Sequence, residues 1–278
     1  MNLQEYQAKT LLEEYGIPVP QGALALSASE AGERAAALGG TAWAVKAQVH
    51  AGNRSAAGGV RLVDSPEGVA KATGQILGKR IVTSQTGSEG IEVKKVYIEQ
   101  AFPLEREIYA AVLVNRAQAR VSVIVNPEGG VGVESALAER DKVAEIAIGT
   151  DGIDNEEFAR LGTHRGLSED EAAAVAGVLV KARRAFLELD ASLIEFNPLA
   201  ITSAGDVVVL DVKMTIDDNA TFRHPELEQL RDEDEVDPQE REAHRFEINY
   251  ARMDGNIGVV TSGAGFGLAT IDMIKEAG

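Results

Sequence analysis

Cysteine is absent from the 278-residue sequence, which excludes disulfide bonds, thiolate metal sites and a cysteine nucleophile. Basic residues are few beside acidic ones, 27 against 44, and the net charge of −17 opposes binding to nucleic acid or to anionic membranes. No run approaches the roughly 18 apolar residues of a membrane span, and no basic segment followed by an apolar one opens the chain. The sequence therefore predicts a cytoplasmic protein without nucleic-acid or membrane partners.

The composition that remains is typical of a globular protein. Hydrophobic residues make up 45% of the chain and charged residues 26%, and the length suits one large domain or two ordinary ones. The acidic stretch 226–245, which contains Pro238, predicts a solvated connector. We therefore expect one domain over residues 1–240 and the start of another over residues 241–278.

Two helices are predicted near the N-terminus from capping signals and apolar spacing. Asn2 is the predicted N-cap of the first helix, with Glu5 in the capping-box position. The second helix is predicted to run from about Ser29 to Leu38.

A strand is predicted at residues 41–50, because apolar and polar side chains alternate there. Lys46, Gln48 and His50 fall on one face, which gives the strand a cationic, hydrogen-bonding side. From this pattern alone, Lys46 is equally consistent with an exposed edge lysine and with a point charge for a phosphate group. The glycine-rich loop 52–59 follows directly and is able to offer backbone N–H groups to an anion.

Two hairpins are predicted further along, at residues 107–125 and 191–213, with a capped helix at 168–189 between them. Counting back from the turn of the second hairpin places Asn197 opposite Asp211 as cross-strand neighbours. One amide and one carboxylate oxygen are the one or two protein ligands that Mg²⁺ prefers, with water and phosphate completing its shell. The alternative is an Asn that precedes Pro in a turn and an Asp that ends a strand, which are both common.

The end of the chain predicts a strand at 255–260, a glycine-containing loop from Ser262 to Gly267 and a helix. This order is one βα unit of a parallel sheet. One such unit cannot bury both of its faces, so we expect the domain to continue beyond residue 278 or to be completed by another chain.

Seven segments stand out in combination: Glu5-Tyr6-Gln7-Ala8-Lys9, Tyr15-Gly16-Ile17-Pro18-Val19-Pro20, Val45-Lys46-Ala47-Gln48-Val49-His50-Ala51-Gly52, Glu128-Gly129-Gly130, Glu195-Phe196-Asn197-Pro198-Leu199, Asp218-Asn219-Ala220-Thr221-Phe222-Arg223 and Asp254-Gly255-Asn256-Ile257-Gly258. Together they resemble the beta subunits of succinate–CoA ligase (ADP-forming) and of the related malate–CoA ligase. The resemblance implies an α/β fold. A two-lobed ATP-grasp domain is expected over residues 1–240, with a smaller nucleotide-lid lobe at about 20–100, and the start of a flavodoxin-like CoA-ligase domain is expected at 241–278.

The resemblance also implies roles for individual residues. It assigns nucleotide contacts to Lys46, Asn53, Arg54, Ser55, Glu99, Phe102 and Glu107, Mg²⁺ to Asn197 and Asp211, and the carboxylate substrate to Ser262. Two segments depart from the family pattern. Relatives carry Gly-Gly-Arg-Gly-Lys where this chain has residues 52–56, so we expect a phosphate lid of reduced affinity. Relatives carry Asn where this chain has Ser262, and this departure concerns the carboxylate substrate.

The implied reaction begins when ATP phosphorylates a histidine of an alpha subunit. The phosphoryl group then passes to a C4 dicarboxylate, and CoA thiol displaces phosphate. CoA and the phosphohistidine belong mainly to the alpha subunit, so this chain has no catalytic residue of its own and is expected to bind Mg²⁺ and ATP without turnover when alone. The segment 213–219 is more similar to malate–CoA ligases, which leaves malate open beside succinate, and the altered lid leaves open a non-catalytic nucleotide-binding or scaffold protein.

Overall fold

A computed structural model describes residues 1–130, 133, 144–148, 160, 163, 166–232, 238–253 and 255–278. The chain divides into two compact units, Met1–Asp232 and Glu233–Gly278. The assignment of the second unit to a CoA-ligase domain, with a boundary near residue 240, stays a prediction. None of the helices within the described ranges combines the length and apolarity needed to cross a bilayer.

The smaller lobe of the first unit, residues 22–100, is built on a four-stranded antiparallel sheet in the order β2 (Gly22–Ala25), β7 (Val96–Gln100), β3 (Trp43–Ala47) and β4 (Val60–Val63). Trp43 and Val45 of β3 and Ile98 of β7 point to one face, where two helices cover them and complete a buried core. The opposite face carries Lys46 and Glu99. The other elements are α2 (Ala28–Leu38), α3 (Pro66–Ile76), β5 (Arg80–Ile81) and β6 (Ile91–Glu92).

The larger lobe contains a seven-stranded antiparallel sheet in the order β1 (Asn2–Leu3), β13 (Val212–Ile216), β11 (Ala191–Thr202), β8 (Leu104–Asn115), β9 (Arg120–Asn126) and β10 (Ala144–Ile148), with β12 (Val207–Val209) paired to β11. Leu12 of the first helix, Leu179 of the long helix and Phe196 of the sheet belong to one buried cluster. The other elements are α1 (Glu5–Glu14), α4 (Glu169–Glu188), a 3₁₀ helix (Asp218–Arg223) and α5 (Pro225–Glu228).

The N-terminus differs from the sequence-based prediction. Asn2 does not cap the first helix, because Asn2 and Leu3 form an edge strand that pairs with Thr215 and Met214. Gln4 is the N-cap, and its capping box is completed by Gln7. The helix therefore begins at Glu5. The Glu5 side chain is buried in the interior and takes no part in the cap.

The second unit contains α6 (Pro238–His244) and α7 (Ala264–Ala277). The predicted strand at 255–260 was wrong, since these residues, all of them described, adopt no strand. A strand needs a neighbour for its backbone hydrogen bonds, and no strand is present in the described parts of this unit, 238–253 and 255–278. The predicted helix is present.

Candidate nucleotide and metal site

Lys46 is the second-to-last residue of β3 and is buried, although its face of the strand is the polar one. Its ammonium donates hydrogen bonds to Glu5 Oε1 at 3.0 Å, to Glu99 Oε1 at 2.7 Å and to the Leu210 carbonyl. The predicted alternation of the strand is correct, but the polar face does not meet solvent. It packs against α1 and against the chain between β12 and β13.

Glu5 and Lys9 bring two further charges to this face. They are one helical turn apart on α1 and so lie on the same side of the helix. Lys9 contacts Glu5 Oε1 at 3.0 Å and the Leu210 carbonyl at 2.7 Å, and it also pairs with Glu99 Oε2. Together with Lys46, these residues close a ring of alternating charge. We call Glu5, Lys9, Lys46 and Glu99 the charge ring.

Arg54 connects the glycine-rich loop to the charge ring and to the second hairpin. Its Nη1 donates to the Ala47 carbonyl at 2.7 Å, and its Nη2 donates to Glu5 Oε2 at 2.7 Å and to Asp211 Oδ1 at 2.7 Å. Three of the five N–H donors of this guanidinium are therefore used within the protein. The side chain is buried, which is unusual for a residue in an exposed loop.

The turn of the loop is formed by one residue in the left-handed region and by two backbone hydrogen bonds. Asn53 has a φ of 58°, in the left-handed region, and Asn is the residue other than Gly that adopts this region most readily. The Gly59 N–H donates to the Arg54 carbonyl at 2.8 Å, and the Gly58 N–H donates to the Ser55 carbonyl at 3.0 Å. The side chains of Asn53 and Ser55 are exposed, so they do not distort this turn.

Asn197 and Asp211 are cross-strand neighbours, as the sequence predicts. The Asn197 N–H donates to the Asp211 carbonyl at 3.1 Å, and Phe196 is the register partner of Val212. Asn197 Oδ1 accepts from the Gly130 N–H at 2.7 Å, which fixes the side chain. An amide oxygen and a carboxylate suit Mg²⁺, and no group of three or more His, Cys, Asp or Glu that could hold a metal occurs among the described residues.

Three residues predicted to contact the nucleotide, Glu99, Phe102 and Glu107, lie in different environments. Glu99 is buried within the charge ring, so its carboxylate is engaged by two lysines. Phe102 is partly buried in the connection between β7 and β8. Glu107 lies on β8 with an exposed side chain, its carboxylate contacts Gly130, and its carbonyl accepts from the Gly129 N–H at 3.0 Å.

Ser262 lies in the second unit. It is exposed and comes directly before Gly263, the N-cap residue of α7. Its predicted role at the carboxylate substrate stays a prediction.

The electrostatics of the charge ring follow from burial and mutual attraction. Burial by itself raises the pKa of Glu5, but the charges of Lys46, Lys9 and Arg54 outweigh it and hold that pKa well below its ordinary value of 4.5. Burial lowers the pKa of Lys46, and Glu5 and Glu99 more than reverse this, so the ammonium stays charged. Glu5 and Lys46 are therefore both charged at neutral pH.

A cavity of about 370 Å³ lies on the side of the smaller sheet that carries the charge ring. The Lys9 ammonium is 5.6 Å from the ring centre of Tyr97, which borders the cavity. None of the residues predicted to contact nucleotide lines it. The lining residues are Tyr6, Thr10, Glu13, Gln21, Gly22, Ala23, Leu24, Leu38 and Tyr97.

Sequence reasoning missed Glu5 and Lys9 as members of the site. The signal that was available is their i, i+4 spacing with opposite charge on the inner face of an amphipathic helix. That signal does not distinguish a surface ion pair from a buried one, because burial depends on the lobe that packs against the helix.

Comparison with known proteins places this chain in a family. Residues 2–201 match the family model of the ATP-grasp domain. Among solved structures, the dinucleotide-forming acetyl-coenzyme A synthetase 1 of Ca. Korarchaeum cryptofilum, in a complex with coenzyme A and Ca-AMPCP, has a TM-score of 0.60 at 23% identity, covering 78% of this chain and 93% of that one. ATP citrate lyase of Methanothrix soehngenii has a TM-score of 0.60 at 18% identity, covering 98% and 60%. These two likenesses concern the fold alone.

Two curated relatives are similar over the whole chain. A protein of Acidiphilium cryptum named succinate–CoA ligase [ADP-forming] subunit beta is 43% identical over 289 residues, covering 100% of this chain and 73% of that protein. Its namesake from Acidithiobacillus ferrooxidans is 44% identical over 280 residues, covering 100% and 72%. This chain belongs to the ATP-grasp family and, within it, to the beta subunits of succinate–CoA ligase. The α/β fold class and the family resemblance read from the sequence are thereby confirmed.

Proposed function

We propose that this chain is the nucleotide-binding beta subunit of an ATP-dependent succinate–CoA ligase. The observation that carries the proposal is the contact of Arg54 Nη2 with Asp211 Oδ1 at 2.7 Å. It joins the glycine-rich loop of one lobe to the hairpin of the other, so that phosphate-binding cations and metal-binding oxygens come together. An ATP site needs both.

In this proposal, the described residues position and neutralise the triphosphate. Lys46 and Arg54 contact phosphate oxygens, and the loop at Asn53 and Ser55 covers them with backbone N–H groups. Asn197 and Asp211 hold Mg²⁺, which supplies charge neutralisation when bound.

The nucleoside is assigned to the connection between β7 and β8. Phe102 lies in this connection, Glu99 lies on β7 and Glu107 lies on β8. In this proposal Glu99 and Phe102 contact the adenosine, and Glu107 contacts the ribose or a phosphate. Glu99 also faces Lys46 directly, at 2.7 Å, so the adenosine and phosphate portions adjoin.

Other chains complete the ligase. The proposed partner is an alpha subunit that carries the phosphohistidine and most of the CoA site, and the C4 dicarboxylate approaches Ser262 in the second unit. The relatives' names support succinate as the acid. The chain alone is expected to bind nucleotide and not to turn over.

Calorimetric titration with ATP, with and without Mg²⁺, tests the nucleotide site. Wild type binds Mg-ATP, Asp211→Asn loses at least about tenfold in affinity because it loses a charged metal ligand, and Asp206→Asn matches wild type. Asp206 is the matched control, since it is an exposed aspartate in the turn of the same hairpin. Absence of binding at millimolar Mg-ATP refutes the proposal and favours the scaffold alternative.

A coupled assay with an alpha subunit from the same source tests the ligase. We expect thioester formation with succinate to exceed that with malate, and no turnover without the alpha subunit. A preference for malate identifies the malate–CoA ligase alternative instead.

A further inference from the structure

Lys46 has no N–H donor to spare for a phosphate in the observed arrangement. An ammonium carries three donors. The three are taken by Glu5 Oε1, Glu99 Oε1 and the Leu210 carbonyl. Contact with a phosphate oxygen therefore requires the release of one of these bonds.

Of the two bonds to carboxylates, the bond to Glu5 is the one that the site releases more easily. It is longer than the bond to Glu99, 3.0 Å against 2.7 Å. Glu5 also keeps two other cations, Lys9 at 3.0 Å and Arg54 at 2.7 Å, whereas Glu99 keeps only Lys9 among the contacts described. A buried carboxylate that retains partners avoids the cost of an uncompensated charge.

We propose that Glu5 and Lys9 form an internal counter-ion device that regulates the delivery of Lys46 to the nucleotide phosphates. Glu5 competes with the phosphates for Lys46, and Lys9 holds Glu5 and Glu99 when Lys46 turns to the phosphates. Arg54 keeps its hydrogen bond to Glu5 in both arrangements, and its guanidinium has N–H donors beyond the three that it uses within the protein. This inference rests on the proposed nucleotide site and adds two positioning residues that do not themselves touch the nucleotide.

The device predicts opposite effects from two neighbouring residues of one helix. Glu5→Gln removes the competitor, so Mg-ATP affinity rises about tenfold, the change expected for one charge-assisted hydrogen bond. Lys9→Met leaves Glu99 to Lys46 alone and Glu5 to Lys46 and Arg54, so Lys46 is held more strongly and Mg-ATP affinity falls about tenfold. Both variants have a lower melting temperature, because each breaks a buried ion pair.

Calorimetry on the full chain measures these affinities, with Mg-ATP and, separately, adenosine as the titrants. Adenosine has no phosphate, so its affinity is expected to change less than twofold in either variant. Glu14→Gln is the control, since it removes the same charge from an exposed position of α1 and leaves Mg-ATP affinity unchanged.

A purely structural role of the pair predicts that both variants lose affinity for both titrants, and that result overturns the inference while leaving the nucleotide site intact. A wild type that binds no Mg-ATP overturns both proposals. If Lys9→Met does not fold, the double variant Glu5→Gln with Lys9→Met keeps the site charge-balanced. Its affinity is expected to equal or exceed that of wild type, and a loss greater than twofold contradicts the device.

Discussion

Arg54 offers the most direct test of how the two lobes are held, through the substitution Arg54→Lys. The guanidinium spans the Ala47 carbonyl, Glu5 and Asp211 at the same time, each at 2.7 Å. Lysine keeps the charge but carries its donors on one nitrogen, so it cannot reach from the loop to the hairpin in the same way. We expect it to keep one of the three bonds.

The expected loss follows from the burial of each partner. Hydrogen bonds to charged groups contribute about 1.5–3 kcal/mol when buried, which applies to Glu5. The Asp211 side chain is 36% exposed, so solvent screening reduces its share to below about 1 kcal/mol. The free energy of unfolding should therefore fall by about 2–3 kcal/mol in total, or about 4–12 °C in melting temperature for a unit of this size.

Urea titration followed by tryptophan fluorescence measures this loss. Trp43 is the single tryptophan and is buried in the core of the smaller lobe, so its emission reports that lobe. Arg61→Lys, at an exposed position of β4, is the matched control and should change stability by less than about 0.5 kcal/mol. If Arg54→Lys is as stable as Arg61→Lys, Arg54 does not join the lobes and the reasoning fails.

Three further predictions concern the loop, the charge ring and the core. Asn53→Gly should change the free energy of unfolding by less than about 0.5 kcal/mol, whereas Asn53→Val should lower it by about 1–2 kcal/mol because of the positive φ at this position. Thermal melts measure the difference, and equal stabilities of the two variants would refute the prediction. The lowered pKa of Glu5 stabilises the fold fully above the ordinary pKa of 4.5, and this stabilisation is lost as the pH falls through the lower pKa of the folded state. In urea titrations at stepped pH, the difference in stability between wild type and Glu5→Gln should therefore close in acid. A difference that does not depend on pH would count against the prediction. Phe196→Ala, fully buried in the larger core, should cost about 3–5 kcal/mol by urea titration, and a loss below 1 kcal/mol would show that the site repacks.

Local patterns predicted the elements that carry the residues proposed to bind the metal and the phosphates. Alternation along β3 and the hairpin register at Asn197 and Asp211 depend only on residues near one another in sequence, and both are present in the structure. Helix α4 begins where its capping box at Ser168 indicates, for the same reason.

Patterns failed where a distant strand competed with a local signal. Asn2 is a good helix cap by type, yet it pairs with Thr215 more than 200 positions away, and that contact is invisible to local reasoning. The strand predicted at residues 255–260 is wrong for the opposite reason, the lack of a pairing strand. Their apolar character suits a buried strand, but a strand exists only where a neighbour accepts its backbone hydrogen bonds.

The sequence by itself determined the family, the α/β class and the identity of the residues proposed to bind phosphate and Mg²⁺, because these are written in local motifs and in their order along the chain. Only the tertiary structure decided that Lys46 is buried and saturated by Glu5, Glu99 and a carbonyl, and that Arg54 spans two lobes. Charge and residue type are properties of single positions. The partners of a charge, and hence whether it is available to a ligand, depend on which surfaces the fold brings together.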